Sequence, residues 1–126
     1  MPRPAYVPER RDVVWLDFEP KKGKEVGKYR PALVLSSREY NRKTGLLICC
    51  PVSTSIRGSA TEVRLSRLKK PSVVAASLVQ TLSWKERRVK KIVKATPTEY
   101  QETLVRLLPL IGATELIDSM LAPEEK

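Results

Sequence analysis

The sequence contains no histidine and only two cysteines. Without histidine the commonest side-chain base at neutral pH is missing, so a histidine-based nuclease is not expected. No Cys/His cluster exists to hold structural zinc. The two cysteines, Cys49 and Cys50, are adjacent. Neighbouring strand residues point to opposite faces, which argues against a disulfide between them. Both sit in an apolar run and read as small core residues. No run approaches the length of a membrane span, and the opening MPRPAYVPER has no apolar signal core. A reducing cytoplasm is the compartment expected, with no membrane partner. Internal repeats and low-complexity stretches are also missing.

Acidic residues are scarce beside basic ones, at 14 against 24, for a net charge of +10. The imbalance is uneven. Residues 98 to 126 contribute −4, which leaves +14 on residues 1 to 97. Such an excess is a statement about partners, and nucleic acid is the first to consider. The ordinary alternative is a basic protein whose lysines are simply solvated. The length of 126 residues fits one domain, and 41% hydrophobic residues suffice for a core at this size. The expected divisions are an arm over 1–11, a body over 12–112 and an extension over 113–126.

Prolines at positions 2, 4 and 8 predict an extended arm. DVVWLDF (12–18), PALVLSS (31–37) and LLICCPV (46–52) read as apolar strands. Pro51 is expected at the end of the third, because proline cannot donate within a sheet. EPKKGKEVGKY is a Gly- and Lys-rich loop, and REYNRKTG reads as a turn region. TEVRL (61–65) alternates as a half-exposed strand, and SVVAASLVQTL (72–82) is a further strand candidate. KERRVKKIVK (85–94) is basic, with few apolar anchors. The period then changes. Thr96-Pro97-Thr98-Glu99 has capping-box spacing, with proline at the first helical position. Leu104, Leu107, Leu108 and Ile111 follow one helix face. Pro109 should shorten the last turn, Gly112 suits a helix end, and residues 113 to 122 form a second short amphipathic helix. Short strands followed by a terminal helix indicate a small, mainly β barrel or sheet.

Polar side chains collect at strand ends. Arg30 opens the second strand, Ser53 and Thr54 close the third, Gln80 lies late in the next apolar run, and Glu25 sits in the first long loop. If neighbouring strands pair, Arg30 and Ser53 meet at one rim, and an arginine fork beside a hydroxyl suits a phosphate. Each residue taken singly also has a structural explanation: turn hydroxyls, a sheet-bonding glutamine, or an Arg30 ion pair with Glu25 or Asp17.

Residues 6 to 45, with DVVWLDF, the Gly-rich loop, YRPALVLS and YNRKTG in that order, resemble the MazF/PemK toxins. CPVSTSIRG and LVQTLSW continue the likeness to about residue 112. The resemblance implies a small SH3-like (CcdB/PemK-type) barrel with a C-terminal helix, working as a homodimer. It implies an endoribonuclease that cuts single-stranded RNA, usually mRNA, at short motifs. No metal or other cofactor is implied, and the products carry 2′,3′-cyclic phosphate and 5′-hydroxyl ends. The partner implied is a MazE-like antitoxin with an acidic, disordered tail. Arg30 falls on the family's catalytic arginine. Ser53 falls on its threonine, with Thr54 next door, so either hydroxyl is a candidate. Glu25 matches an acidic loop residue and is the candidate base. Gln80 matches an RNA-positioning glutamine, and Tyr29 falls among the substrate contacts. Lys21, Lys22, Lys24, Lys28 and Arg57 are expected to contact phosphates, extended by the 85–94 cluster. For that cluster the alternative is a lysine-rich sheet edge. Two other functions fit such a fold: a CcdB-like gyrase poison, and a catalytically inactive RNA-binding homologue.

Overall fold

The computed structural model describes residues 5–123, so Pro2 and Pro4 of the arm and the last three residues of the extension lie outside it. Among the described residues seven strands form one antiparallel sheet: β1 (Asp12–Asp17), β2 (Tyr29–Val34), β3 (Leu46–Ser53), β4 (Glu62–Leu65), β5 (Ser72–Ala75), β6 (Gln80–Ser83) and β7 (Lys90–Lys94). The order is β4-β5-β3-β2-β1-β7, and β6 pairs β3 off that path. Strand β3 is the pivot. Leu46–Cys49 pairs β6, Cys49–Pro51 pairs β2, and Val52–Ser53 pairs β5. The result is a mainly antiparallel half-barrel with C-terminal helices, the architecture the sequence implied.

Both faces of the central strands are covered. Val13, Leu33, Cys50, Val52 and Val74 join one buried cluster, closed by Leu107. Val14, Leu16, Ala32, Val34, Cys49 and Trp84 join another. That is why β1 to β3 read as unbroken apolar runs rather than alternating ones. Cys49 and Cys50 are free and buried, one in each cluster, as the strand period requires. Burial pushes both thiols up in pKa, Cys50 to about 12.

Four expectations are corrected. REYNRKTG is a helix, α1 (Arg38–Thr44), not a turn. Ser37 caps it by accepting from the Tyr40 amide, and Gly45 ends it at φ 71°. It carries no apolar stripe. Its anchor is the buried Asn41, which donates to the Pro8 carbonyl at 2.8 Å and whose own carbonyl accepts from Trp84 Nε1 at 2.9 Å. The 72–82 run is not one strand. A 3-10 turn over Ala76–Leu78 separates β5 from β6, which pair different parts of β3. Pro51 lies inside β3, where the strand passes from its β2 and β6 partners to β5. Ile111 is 65% exposed and leaves the core to Leu107, because the chain tightens into a 3-10 turn over Leu108–Ile111.

Helix α2 (Pro97–Leu107) has the expected capping box. Gly112 at φ 77° then leads into α3 (Ala113–Leu121). No helix among the described residues is long and apolar enough to cross a membrane. The Glu99 carboxylate accepts from the Thr96 amide at 2.9 Å and from the Ser66 amide at 2.7 Å, tying α2 to the end of β4. Partial burial raises its pKa, but these hydrogen bonds outweigh that and hold it below the ordinary range. A depressed folded-state pKa stabilises above the unfolded value of about 4.3, and that increment disappears as pH falls through the folded value. Glu99→Gln is therefore expected to cost about 1 kcal/mol at neutral pH, with the gap to wild type closing in acid. Thermal unfolding at neutral pH and at about pH 3 checks this; an equal gap at both would contradict it.

Candidate active site

The β2–β3 register pairs Ala32 with Pro51. Continued by two residues, it sets Arg30 across from Ser53 on the same face. Both side chains line two adjoining clefts of about 340 and 390 Å3. The clefts also share Lys24, Val26, Ser55 and Arg57, so they form one groove with Arg30 and Ser53 at its centre. One lobe runs between the 53–62 loop and β5 to Ser77 and Leu78. The other runs under the first loop past Glu19, Lys21, Glu25 and Lys28.

Arg30 is half-buried. Its Nε donates to the Gly27 carbonyl at 2.7 Å, and among the described residues its terminal nitrogens have no protein partner. The ion pair with Glu25 or Asp17 considered from the sequence does not form. Burial lowers the guanidinium pKa, and the charge of Glu19 partly offsets this. Ser53 Oγ accepts from the Ser55 amide at 3.0 Å, which leaves its own proton free to donate.

The groove carries a net positive charge, because Lys21, Lys24, Lys28, Arg30 and Arg57 outnumber its three carboxylates, each of which accepts from backbone amides. Glu19 accepts from the Lys21 and Lys28 amides at 3.2 and 2.8 Å. Glu25 accepts from the Lys22 amide at 2.7 Å. Glu62 accepts from the amides of Arg57, Gly58 and Ser59, closing the 53–62 loop. Lys21, Lys24, Lys28, Arg30 and Arg57 make no ion pair among the described residues. Unpaired cations around a half-buried arginine form a receptor for a polyanion.

Of the residues singled out from the sequence, the groove therefore gathers Arg30, Ser53, Glu25, Lys21, Lys24, Lys28 and Arg57. Four stand outside its lining. Thr54 is exposed, one residue beyond Ser53. Tyr29 faces away from Arg30: its ring stacks on Trp15 with centroids 5.4 Å apart, and the Arg88 guanidinium lies 4.1 Å over it. Lys22 gives only its backbone amide, to Glu25. Gln80 begins β6 opposite Cys49. The basic 85–94 segment forms a turn and β7, an edge strand whose Lys94 reaches Asp12 at 3.2 Å. Sequence reasoning missed Glu19 and Glu62. Nothing local separates either from the chain's other carboxylates, because Glu19 holds an amide nine residues away and Glu62 holds amides three to five residues away.

Residues 9–111 match the family model of the PemK-like, MazF-like toxins of type II toxin–antitoxin systems. The endoribonuclease toxin MazF of Escherichia coli (strain K12) is 39% identical over 107 residues, covering 85% of this chain and 96% of that protein. The crystal structure of MazF (Form-I) from Deinococcus radiodurans superposes with a TM-score of 0.83 at 39% identity, covering 86% of this chain and 99% of its own. The MazE–MazF structure (Form-I) from the same organism gives 0.74 at 36% identity, covering 86% and 99%.

Proposed function

The chain belongs to the PemK-like, MazF-like toxins of type II toxin–antitoxin systems, and we propose that its groove is a metal-independent active site that cuts single-stranded RNA. One observation carries this reading. A half-buried guanidinium with uncommitted terminal nitrogens stands across the strands from a hydroxyl, at the centre of a cationic groove.

The attacking group is the RNA's own 2′-hydroxyl, so the protein needs no nucleophile. Its work is to align that hydroxyl with the adjacent phosphate and to stabilise charge on five-coordinate phosphorus. The two terminal nitrogens of Arg30 suit a pair of phosphate oxygens. Its lowered pKa favours proton donation to the departing 5′-oxygen. Ser53 donates to a phosphate oxygen. Glu25, in the same groove, serves as the base that takes the 2′-proton. The lysines and Arg57 hold flanking phosphates. Products are a 2′,3′-cyclic phosphate and a 5′-hydroxyl. The RNA sequence that is cut depends on base contacts in the two lobes.

The relatives are named endoribonucleases, which favours cleavage over a gyrase poison. A MazE-like antitoxin is the proposed inhibitor, its acidic tail covering Arg30 and the first loop by charge complementarity. The working form proposed is a cytoplasmic homodimer.

The test is purified protein with a long defined RNA in EDTA. Discrete fragments ending in cyclic phosphate support the reading; intact RNA in a tight complex overturns it. The two candidate hydroxyls are separable in the same assay. Ser53→Ala is expected to slow cleavage by about 10- to 100-fold, and Thr54→Ala by less than about twofold. If neither substitution slows cleavage, the arginine–hydroxyl cradle is wrong.

A further inference from the structure

A chain of hydrogen bonds and close contacts runs from Arg87 through the first loop to Arg30. Arg87 Nη1 donates to the backbone carbonyls of Asp17 and Glu19 at 2.9 and 2.8 Å, fixing the chain where β1 ends. From that fixed point the Glu19 carboxylate spans the loop. One oxygen accepts from the Lys21 amide and the other from the Lys28 amide, so a single side chain ties the loop's start to its end. Lys28 holds a left-handed φ of 71°, a conformation that costs about 1 kcal/mol or more for a side-chain residue. The bond to Glu19 opposes that cost. Gly27 lies against the same carboxylate: a Cβ there would sit 2.6 Å from Glu19 Oε1. The Gly27 carbonyl in turn accepts from Arg30 Nε at 2.7 Å.

We propose that Glu19 is a positioning residue for the catalytic guanidinium, acting through Gly27 and Lys28. By fixing the Gly27 carbonyl it occupies Nε and leaves the two terminal nitrogens for the groove. Glu19 forms no ion pair with Arg30, so its negative charge supports the cation without competing for the nitrogens that phosphate needs. This assignment rests on the reading of Arg30 as the centre of an RNA-cleaving site. A misplacement of the order of 1 Å at such a centre can cost about 100-fold in rate.

The experiment compares wild type, Glu19→Ala, Glu19→Gln and Gly27→Ala by single- and multiple-turnover cleavage of a defined RNA, with Glu39→Gln as a surface control. Glu19→Ala is expected to lower kcat by about 10- to 100-fold while KM stays within about threefold. Gly27→Ala should reproduce the loss, because its methyl displaces a carboxylate that is still present. Glu19→Gln keeps an acceptor but not the charge and should fall between. The decisive comparison repeats Glu19→Ala in an Arg30→Lys background. Lysine has no Nε to be held, so the penalty should shrink to less than about threefold. An undiminished penalty there, or an unchanged kcat in Glu19→Ala, overturns the proposal. A fully active Arg30→Ala enzyme would instead remove the site reading on which it stands, so the two failures are distinguishable.

Discussion

Arg30→Ala is expected to slow RNA cleavage by about 1,000-fold or more while leaving the fold in place. The size follows from what the residue supplies. It is the central cation of the groove, half-buried, with both terminal nitrogens uncommitted among the described residues. Arginine groups that stabilise charge on a transferring phosphoryl group are worth about three to five orders of magnitude. The stability cost should be small, because the side chain makes one hydrogen bond and no ion pair among the described residues. Loss of one such bond costs about 1 kcal/mol. Arg30→Lys should recover part of the rate, since a point charge remains but the planar fork is lost. Single-turnover rates and melting curves check both claims. A melting temperature unchanged with full activity retained would show that another group carries the chemistry.

Asp12→Ala should give the largest loss of stability expected from a polar substitution, about 2 to 4 kcal/mol. The carboxylate is 1% exposed and gathers three elements. Tyr6 Oη donates to it at 2.5 Å and the Glu9 amide at 3.1 Å, pinning the arm, while Lys94 of β7 donates at 3.2 Å. Burial, with Asp12 next, pushes the Tyr6 hydroxyl up in pKa, so it remains a donor. Removing the carboxylate strands these donors and releases both arm and edge strand. Chemical denaturation measures the cost. Asp12→Asn should lie between, because the amide keeps one acceptor. A change below about 0.5 kcal/mol for Asp12→Ala would show that the arm docks without it.

What the sequence disclosed follows physical lines. The strands β1 to β3 were legible because burial on both faces makes an apolar run, and α2 because a capping box is local. Helix α1 was not, since its one buried anchor is Asn41 and hydrophobic periodicity ignores asparagine. The break between β5 and β6 was hidden because Ala76 is as apolar as its neighbours; only β3's change of partner requires the turn. At the site, strand pairing was enough to bring Arg30 to Ser53. The same period of two turns Tyr29 away from the groove, and Thr54 lies one residue past the end of β3, consequences that the family likeness had masked. Glu19 and Glu62 were invisible because a carboxylate that holds loop amides has no local signature.

In the proposed mechanism the protein provides alignment and charge while the substrate provides the nucleophile. One measurement tests it most directly: a defined RNA that the protein cuts, remade with a single 2′-deoxynucleotide on the 5′ side of the scissile phosphate. Under that mechanism this strand binds as tightly as the natural one and stays whole at that position, while the natural RNA leaves a cyclic phosphate. Cleavage at the deoxy position at a comparable rate would contradict it, because a nucleophile from the protein or from water would then be at work.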